Sequence, residues 1–300
     1  MGMPIRHLIS RAAAVAAVFL AASGSAQAAT QIAVKATPAY ELAPGTGGGT
    51  YFAWTRGSRA RLLLQSGPGQ PAFQVNGSRS HAFSGSIDGT TFVYQLARGT
   101  NSDIRLMDVV SHVKSAPTGI NTRRWEWHPT VSGDWILFGR EAAARNRWRV
   151  LLHNTSTDQT LTLADVQGKT TSADPGQVSG DYAVWDRCAH HVCNVYRYQI
   201  STGQTTKIPN TLTGQIQYYP SVTGTGTVYF VHSGDGCGRN VKLVEWVEGQ
   251  PVNVLVEFGP GRDITTSTQT VPDQVAGTDV YFDKYTCRTT ASDIYKIVVP

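Results

Sequence analysis

Beyond about residue 30, apolar positions recur in short runs, each broken by a glycine-centred turn or a polar loop. One run reads Pro129-Thr130-Val131-Ser132-Gly133-Asp134-Trp135-Ile136-Leu137-Phe138. Its next copy reads Gln177-Val178-Ser179-Gly180-Asp181-Tyr182-Ala183-Val184-Trp185. Later copies run from Pro220 to Tyr229 and from Asp273 to Phe282, and upstream Ile87-Asp88-Gly89 leads to Tyr94. A degenerate copy at Gly47-Gly48-Gly49 leads to Trp54. Each copy predicts a short strand, a turn at glycine where positive φ is needed, and a strand with an alternating apolar face.

The six aromatics follow one another at intervals of 40, 44, 47, 44 and 53 residues, a constant core carrying variable loops. After each comes a polar loop and a third strand: Arg61–Leu64, Ile104–Met107, Trp148–Leu151, Val195–Tyr198, Val241–Val244 and Ile294–Ile297. Several of these run into a turn such as Ser201-Thr202-Gly203-Gln204 and a fourth strand. Four antiparallel strands per repeat and six repeats predict an all-β, six-bladed β-propeller. The last repeat stops at Pro300 without an outer strand, while Gln31–Lys35 alternates like a strand ahead of the first. An exposed sheet edge invites pairing, so this segment is expected to pair with Ile294–Val298 and close the ring. The abundance of glycine, threonine and β-branched residues agrees with an all-β chain.

The first residues follow a different pattern. Arg6, His7 and Arg11 precede the apolar run Ala12–Ala22, and Ala26-Gln27-Ala28 offers a small-residue cleavage site. This is the layout of a secretory signal peptide over residues 1–28, with an apolar run too short to span a bilayer. Residues 29–300 then form one domain. Removing Arg6 and Arg11 lowers the formal charge from +5 to +3, and no block of Lys and Arg marks a nucleic-acid or membrane patch. A secreted or envelope protein, monomeric and without a membrane span, is expected. Cysteines Cys188, Cys193, Cys237 and Cys287 are even in number, and a C-x4-C pair with two distant single cysteines lacks the second close pair of a zinc site. In the blade scheme Cys188 and Cys193 flank one hairpin loop, and Cys237 and Cys287 occupy equivalent loops of adjacent blades. Two disulfides, Cys188–Cys193 and Cys237–Cys287, are therefore expected.

The motif carried by Pro129–Gly133, Pro220–Gly224 and Ser292-Asp293-Ile294-Tyr295 resembles the repeats of the TolB-like six-bladed propellers. The first two copies depart from it by lacking the proline. The resemblance implies a fold and an extracytoplasmic setting, and leaves activity open.

Two residues after the repeat aromatic a basic side chain recurs: Arg56, Arg140, Arg187 and Lys284. The blade scheme places these on the same rim as His190, His191 and His232, near Trp125, Trp127 and His128. The expectation is a basic, aromatic-lined channel mouth suited to an anionic glycan or an acidic partner. A metal reading would need His128, His190 or His191, and His232 to converge with Asp186 and Asp283. No His-x-x-x-His or His-Glu-x-x-His spacing occurs, so neither metal nor cofactor is expected. No nucleophile elbow or phosphate loop is present, and Ser132-Gly133-Asp134 and Ser179-Gly180-Asp181 are the blade turn itself. The leading expectation is a non-catalytic scaffold that binds a protein or polysaccharide. The alternative is a polysaccharide lyase or hydrolase with a His/Arg site at the channel mouth.

Overall fold

The computed structural model describes residues 31–35, 41–47, 50–212, 214, 216–233, 241–259, 262–272, 277–286 and 292–299. The expected signal peptide and the Cys237–Cys287 pair lie outside them. The described chain is all-β, built of antiparallel units of three or four strands. Strand β1 (Ile32–Lys35) stands alone at the start. Unit 1 comprises β2 (Glu41–Gly47), β3 (Tyr51–Arg56), β4 (Arg61–Gln65) and β5 (Phe73–Gln74). Unit 2 comprises β6 (His81–Asp88), β7 (Thr91–Arg98), β8 (Asn101–Asp108) and β9 (Lys114–Ser115). Unit 3 comprises β10 (Glu126–Ser132), β11 (Trp135–Glu141), β12 (Arg147–Asn154) and β13 (Gln159–Gln167). Unit 4 comprises β14 (Thr171–Ser179), β15 (Tyr182–Ala189), β16 (Val192–Gln199) and β17 (Gln204–Lys207). Unit 5 comprises β18 (Ile216–Val222), β19 (Val228–Ser233), β20 (Lys242–Trp246) and β21 (Asn253–Glu257). Unit 6 comprises β22 (Arg262–Pro272), β23 (Thr278–Thr286) and β24 (Ser292–Val299).

The fourth strand of unit 6 is β1, which pairs antiparallel with β24 through Ile32↔Lys296 and Ala33↔Tyr295. Lys35 ties this strand to unit 1: its ammonium donates to Gln65 Oε1 at 2.6 Å and lies 4.3 Å from the Trp54 ring centroid. Among the described residues hydrogen bonding joins five sheets rather than six, because one parallel bridge, Cys193↔Ile216, fuses units 4 and 5 into eight strands.

Packing explains the hydrophobic runs. The repeat aromatics Trp54, Tyr94, Phe138, Trp185, Tyr229 and Phe282 are all buried on the second strand of their unit. In unit 3, Ile136 and Phe138 pack toward unit 2, while Leu137 joins the cluster shared with unit 4. The second strand is thus buried on both faces, where the sequence pattern suggested one apolar face. Five apolar clusters fill the junctions between successive units from 1 to 6. First strands also pack in a closed cycle, β2 on β6, β6 on β10, β10 on β14, β14 on β18, β18 on β22 and β22 on β2.

Three side-chain series stitch that cycle together, and each explains a letter of the repeat. The residue before the conserved apolar position accepts the next unit's backbone N–H. Val131 N donates to Ser86 Oγ (2.7 Å), Val178 N to Thr130 Oγ1 (3.1 Å) and Val222 N to Gln177 Oε1 (3.4 Å). The residue before the turn glycine does the same one step on: Gly133 N donates to Asp88 Oδ2 (2.5 Å) and Gly180 N to Ser132 Oγ (3.0 Å). The residue after the repeat aromatic caps a β-bulge in the neighbouring first strand. Ser84 N donates to Thr55 Oγ1 (3.0 Å), His128 N to Gln95 Oε1 (3.4 Å) and Tyr219 N to Asp186 Oδ2 (3.1 Å). Bulges free backbone groups from the ladder, and these side chains satisfy them. The first strands approach so closely that a Cβ on Gly85 would stand 2.2 Å from Pro129 O, and one on Gly176 2.2 Å from Pro220 O. Glycine therefore replaces the motif proline in units 2 and 4.

Candidate functional site

The first-strand starts and the hairpins joining second and third strands share one end of the units, the end singled out by the sequence. Arg56 and Arg140 serve there as counter-ions. The Arg56 guanidinium lies 2.8 Å from Glu41, whose side chain is 0% exposed, and Arg140 Nε donates to the equally buried Glu126 at 2.9 Å. Arg140 also donates to the Ile120 carbonyl, and its guanidinium lies 5.1 Å from the Phe138 ring. Burial pushes the Glu126 carboxyl above its usual range, against the opposing pull of Thr122 and Arg140. The expected basic ring is therefore partly neutralised from beneath. Two buried glutamates, overlooked in the sequence, take up its charge because a buried carboxylate needs a partner. Arg187 is exposed on β15, and Lys284 donates to Gln31 Oε1 (2.8 Å) with its ammonium 3.8 Å from the Tyr295 ring.

The histidines occupy separate surroundings. His190 and His191 form the exposed two-residue turn between β15 and β16, both at positive φ (50° and 67°), the type I′ pattern. Cys188 and Cys193 are cross-strand partners beneath that turn and form the expected disulfide, with Cα atoms 4.0 Å apart. His232 is buried, with Nε2 3.3 Å from Asn210 Oδ1, and burial pushes its imidazole down. His128 sits at the unit 3 bulge with φ 45°, its imidazole also pushed down by burial despite the carboxylate of Asp174. Among the described residues, no three His, Cys, Asp or Glu side chains are grouped to hold a metal ion. Asp186, at the unit 4 position that caps the unit 5 bulge, is held well above the usual carboxylate range by burial and by Asp174.

The Ser-Gly-Asp turns are occupied structurally as well. Asp181 accepts hydrogen bonds from Ser201 N (2.8 Å), Ser201 Oγ (2.5 Å) and Gln199 (3.0 Å).

What the rim does offer is a cleft between units 3 and 4. It encloses about 520 Å³ and is lined by Trp125, Trp127, Glu141, Trp148, Ser172, Ala173 and Asp174. Trp127 meets Trp148 edge to face at 5.6 Å, and its indole N–H donates to Asp174 Oδ1 at 3.0 Å. Gly139 makes this possible: a Cβ there would lie 2.2 Å from the Trp127 ring. Units 1, 2 and 4 carry Thr55, Gln95 and Asp186 at that register, each accepting from the neighbouring bulge. Sequence reasoning found Trp125 and Trp127 and missed Trp148, Glu141 and Asp174. The available signal was that Trp127 and Asp174 hold the same repeat position in adjacent units, two residues before Pro129 and Gly176.

No protein-family model matches the chain, and none of the curated proteins matches it in sequence. Solved structures do match in fold. A TolB candidate from Agrobacterium tumefaciens superimposes with a TM-score of 0.59 at 14% identity, over 88% of this chain and 92% of that one. TolB from Acinetobacter baumannii gives 0.53 at 15% identity over 87% of this chain. The chain spans 63% of the length of that protein. A chain of a nidogen/laminin complex gives 0.52 at 9% identity, over 73% of this chain and 80% of that one. At such identities the likeness shows the fold alone: a TolB-like arrangement of repeated antiparallel sheets. Among the described residues, no helix is long and apolar enough to cross a membrane.

Proposed function

We propose that residues 29–300 form a six-bladed β-propeller, closed by the N-terminal strand, that serves as a non-catalytic binding scaffold for a protein or polysaccharide outside the cytoplasm. The closed cycle of first strands and the likeness to TolB structures support the architecture. Export is supported by the signal-peptide pattern of residues 1–28 and by the Cys188–Cys193 bridge, since disulfides persist in oxidising compartments. The observation that carries the binding reading is the tryptophan-lined cleft between units 3 and 4, of a size that suits a small ligand or one protruding group of a larger partner. By contrast, the polar groups of the repeat are engaged in holding units together, which is scaffold work.

The test is a binding and turnover screen of the mature protein on immobilised glycans and on protein extract from the secreting cell, with Trp125→Ala as control. Retention that Trp125→Ala weakens, with no product formed, is the expected result. Glycan cleavage abolished by His128→Ala would overturn the scaffold reading in favour of an enzyme.

A further inference from the structure

The charge of the cleft differs from that of the rim around it. Glu141 and Asp174 bring two carboxylates to a wall of three indoles. No ion pair with a described cation satisfies either: Asp174 accepts only the neutral Trp127 N–H, and Glu141 is joined through its backbone, its N–H donating to Trp125 O at 2.9 Å. Three nearby arginines are committed elsewhere, while Arg187, across the strand pair from Ala173, is exposed. Arg140 is held by Glu126, while Arg147 and Arg149 both bind Asp165, at 2.6 and 2.9 Å. The alternation of β12 sends those two side chains to the face opposite Trp148. The cleft thus combines three indoles with two carboxylates that form no ion pair among the described residues, in a chain whose net charge is positive.

Indole faces attract cations through the ring quadrupole, and neighbouring carboxylates add to that attraction. An anionic glycan would meet two like charges here, and a neutral sugar would leave both uncompensated. We propose that the cleft binds an organic cation, an alkylammonium group seated against Trp125, Trp127 and Trp148 with Glu141 and Asp174 as its counter-charges. This rests on the scaffold reading and names the chemistry its partner presents.

The test is calorimetric titration of the mature protein with four probes. These are choline, Nα-acetyl-lysine methylamide as the peptide-borne form, 3,3-dimethyl-1-butanol as the uncharged isostere of choline, and tri-N-acetylchitotriose as a neutral sugar. At least one cation should bind saturably, with the uncharged isostere about tenfold weaker or more. Trp125→Ala and Glu141→Gln should each weaken it by about fivefold or more, and rising salt should weaken it through screening. Both substitutions fall on partly exposed side chains. Circular dichroism of each variant verifies that it is folded. Choline binding alone would mark a free small-molecule ligand, and binding of the lysine amide a protein partner, and either supports the proposal. Equal or tighter binding of the isostere or the sugar would overturn it, as would no saturable binding of either cation up to about 50 mM, weaker than any specific site of this kind. Such a failure with partner retention intact overturns this inference alone, whereas glycan turnover overturns the scaffold reading beneath it.

Discussion

Replacing Gly139 by alanine places one methyl group where the Trp127 indole now lies. The added carbon would stand 2.2 Å from Cε2 and 2.6 Å from Cζ2 and Nε1, well inside van der Waals contact. Trp127 is 8% exposed and its ring also touches Trp148, so it has little room to slide. Overpacking of this kind costs about 1–3 kcal/mol. Displacing the indole also breaks its bond to Asp174, which adds about 1 kcal/mol at a partly exposed site. A total of about 3 kcal/mol, at roughly 2–3 °C per kcal/mol for a chain of this size, lowers Tm by about 6–9 °C. The assay is thermal unfolding of four proteins: wild type, Gly139→Ala, Trp127→Ala and the double variant. Once Trp127 is already alanine the methyl meets no ring, so Gly139→Ala should then shift Tm by less than about 2 °C. Near-ultraviolet circular dichroism should lose the contribution of the Trp127–Trp148 pair in Gly139→Ala. An equal Tm loss in both backgrounds, or none in the wild-type background, would refute the claim that glycine is there to seat the indole.

Asp186 and Glu126 both have carboxyls raised above their ordinary values, so the folded state holds their protons more tightly than the unfolded chain does. Their contribution to stability therefore falls as pH rises from the unfolded value, ordinarily 3.8 for Asp186, through the raised folded value. Asp186→Asn still accepts the Tyr219 N–H and carries no charge, so its Tm relative to wild type should be higher at pH 8 than at pH 4. A difference that does not change with pH would contradict this. Arg140→Ala strands the buried Glu126 carboxylate and should cost about 3 kcal/mol at pH 7 in urea unfolding, with most of the loss recovered by adding Glu126→Gln. Failure of that recovery would show that Arg140 matters for packing on Phe138 rather than for charge. Removing the short-loop disulfide by Cys188→Ser with Cys193→Ser should cost at most about 2 kcal/mol, measured as the shift in urea midpoint, and a larger loss would mean the bridge holds more than its own hairpin.

Much of the architecture was legible because its signals are local. Apolar alternation, turn glycines and one buried aromatic per repeat depend only on neighbours in the chain, so the third strands fell within or one residue from those observed. The pairing of β1 with β24 followed from a simple need, an uncovered edge and a spare strand. Cys188–Cys193 followed from two cysteines flanking one hairpin loop, and the structure places them opposite each other beneath a two-residue turn. The fusion of units 4 and 5 by one bridge between Cys193 and Ile216 had no such local sign.

The site divided along the same line. The chain alone determined that arginines recur two residues after the aromatic and that Trp125, Trp127 and His128 stand at the start of a first strand. Only the tertiary structure decided what those groups face. Glu41 and Glu126 meet Arg56 and Arg140 across a strand pair, at separations of 15 and 14 residues, in elements whose register bulges disturb. Trp127 and Asp174 meet across 47 residues, a distance in sequence that carries no contact until unit 4 packs on unit 3. Periodicity fixes which side of a strand a residue occupies, but the charge of a cleft between units depends on how two units are packed. For that reason a rim that reads as basic in the sequence encloses an acidic, aromatic cleft in the fold.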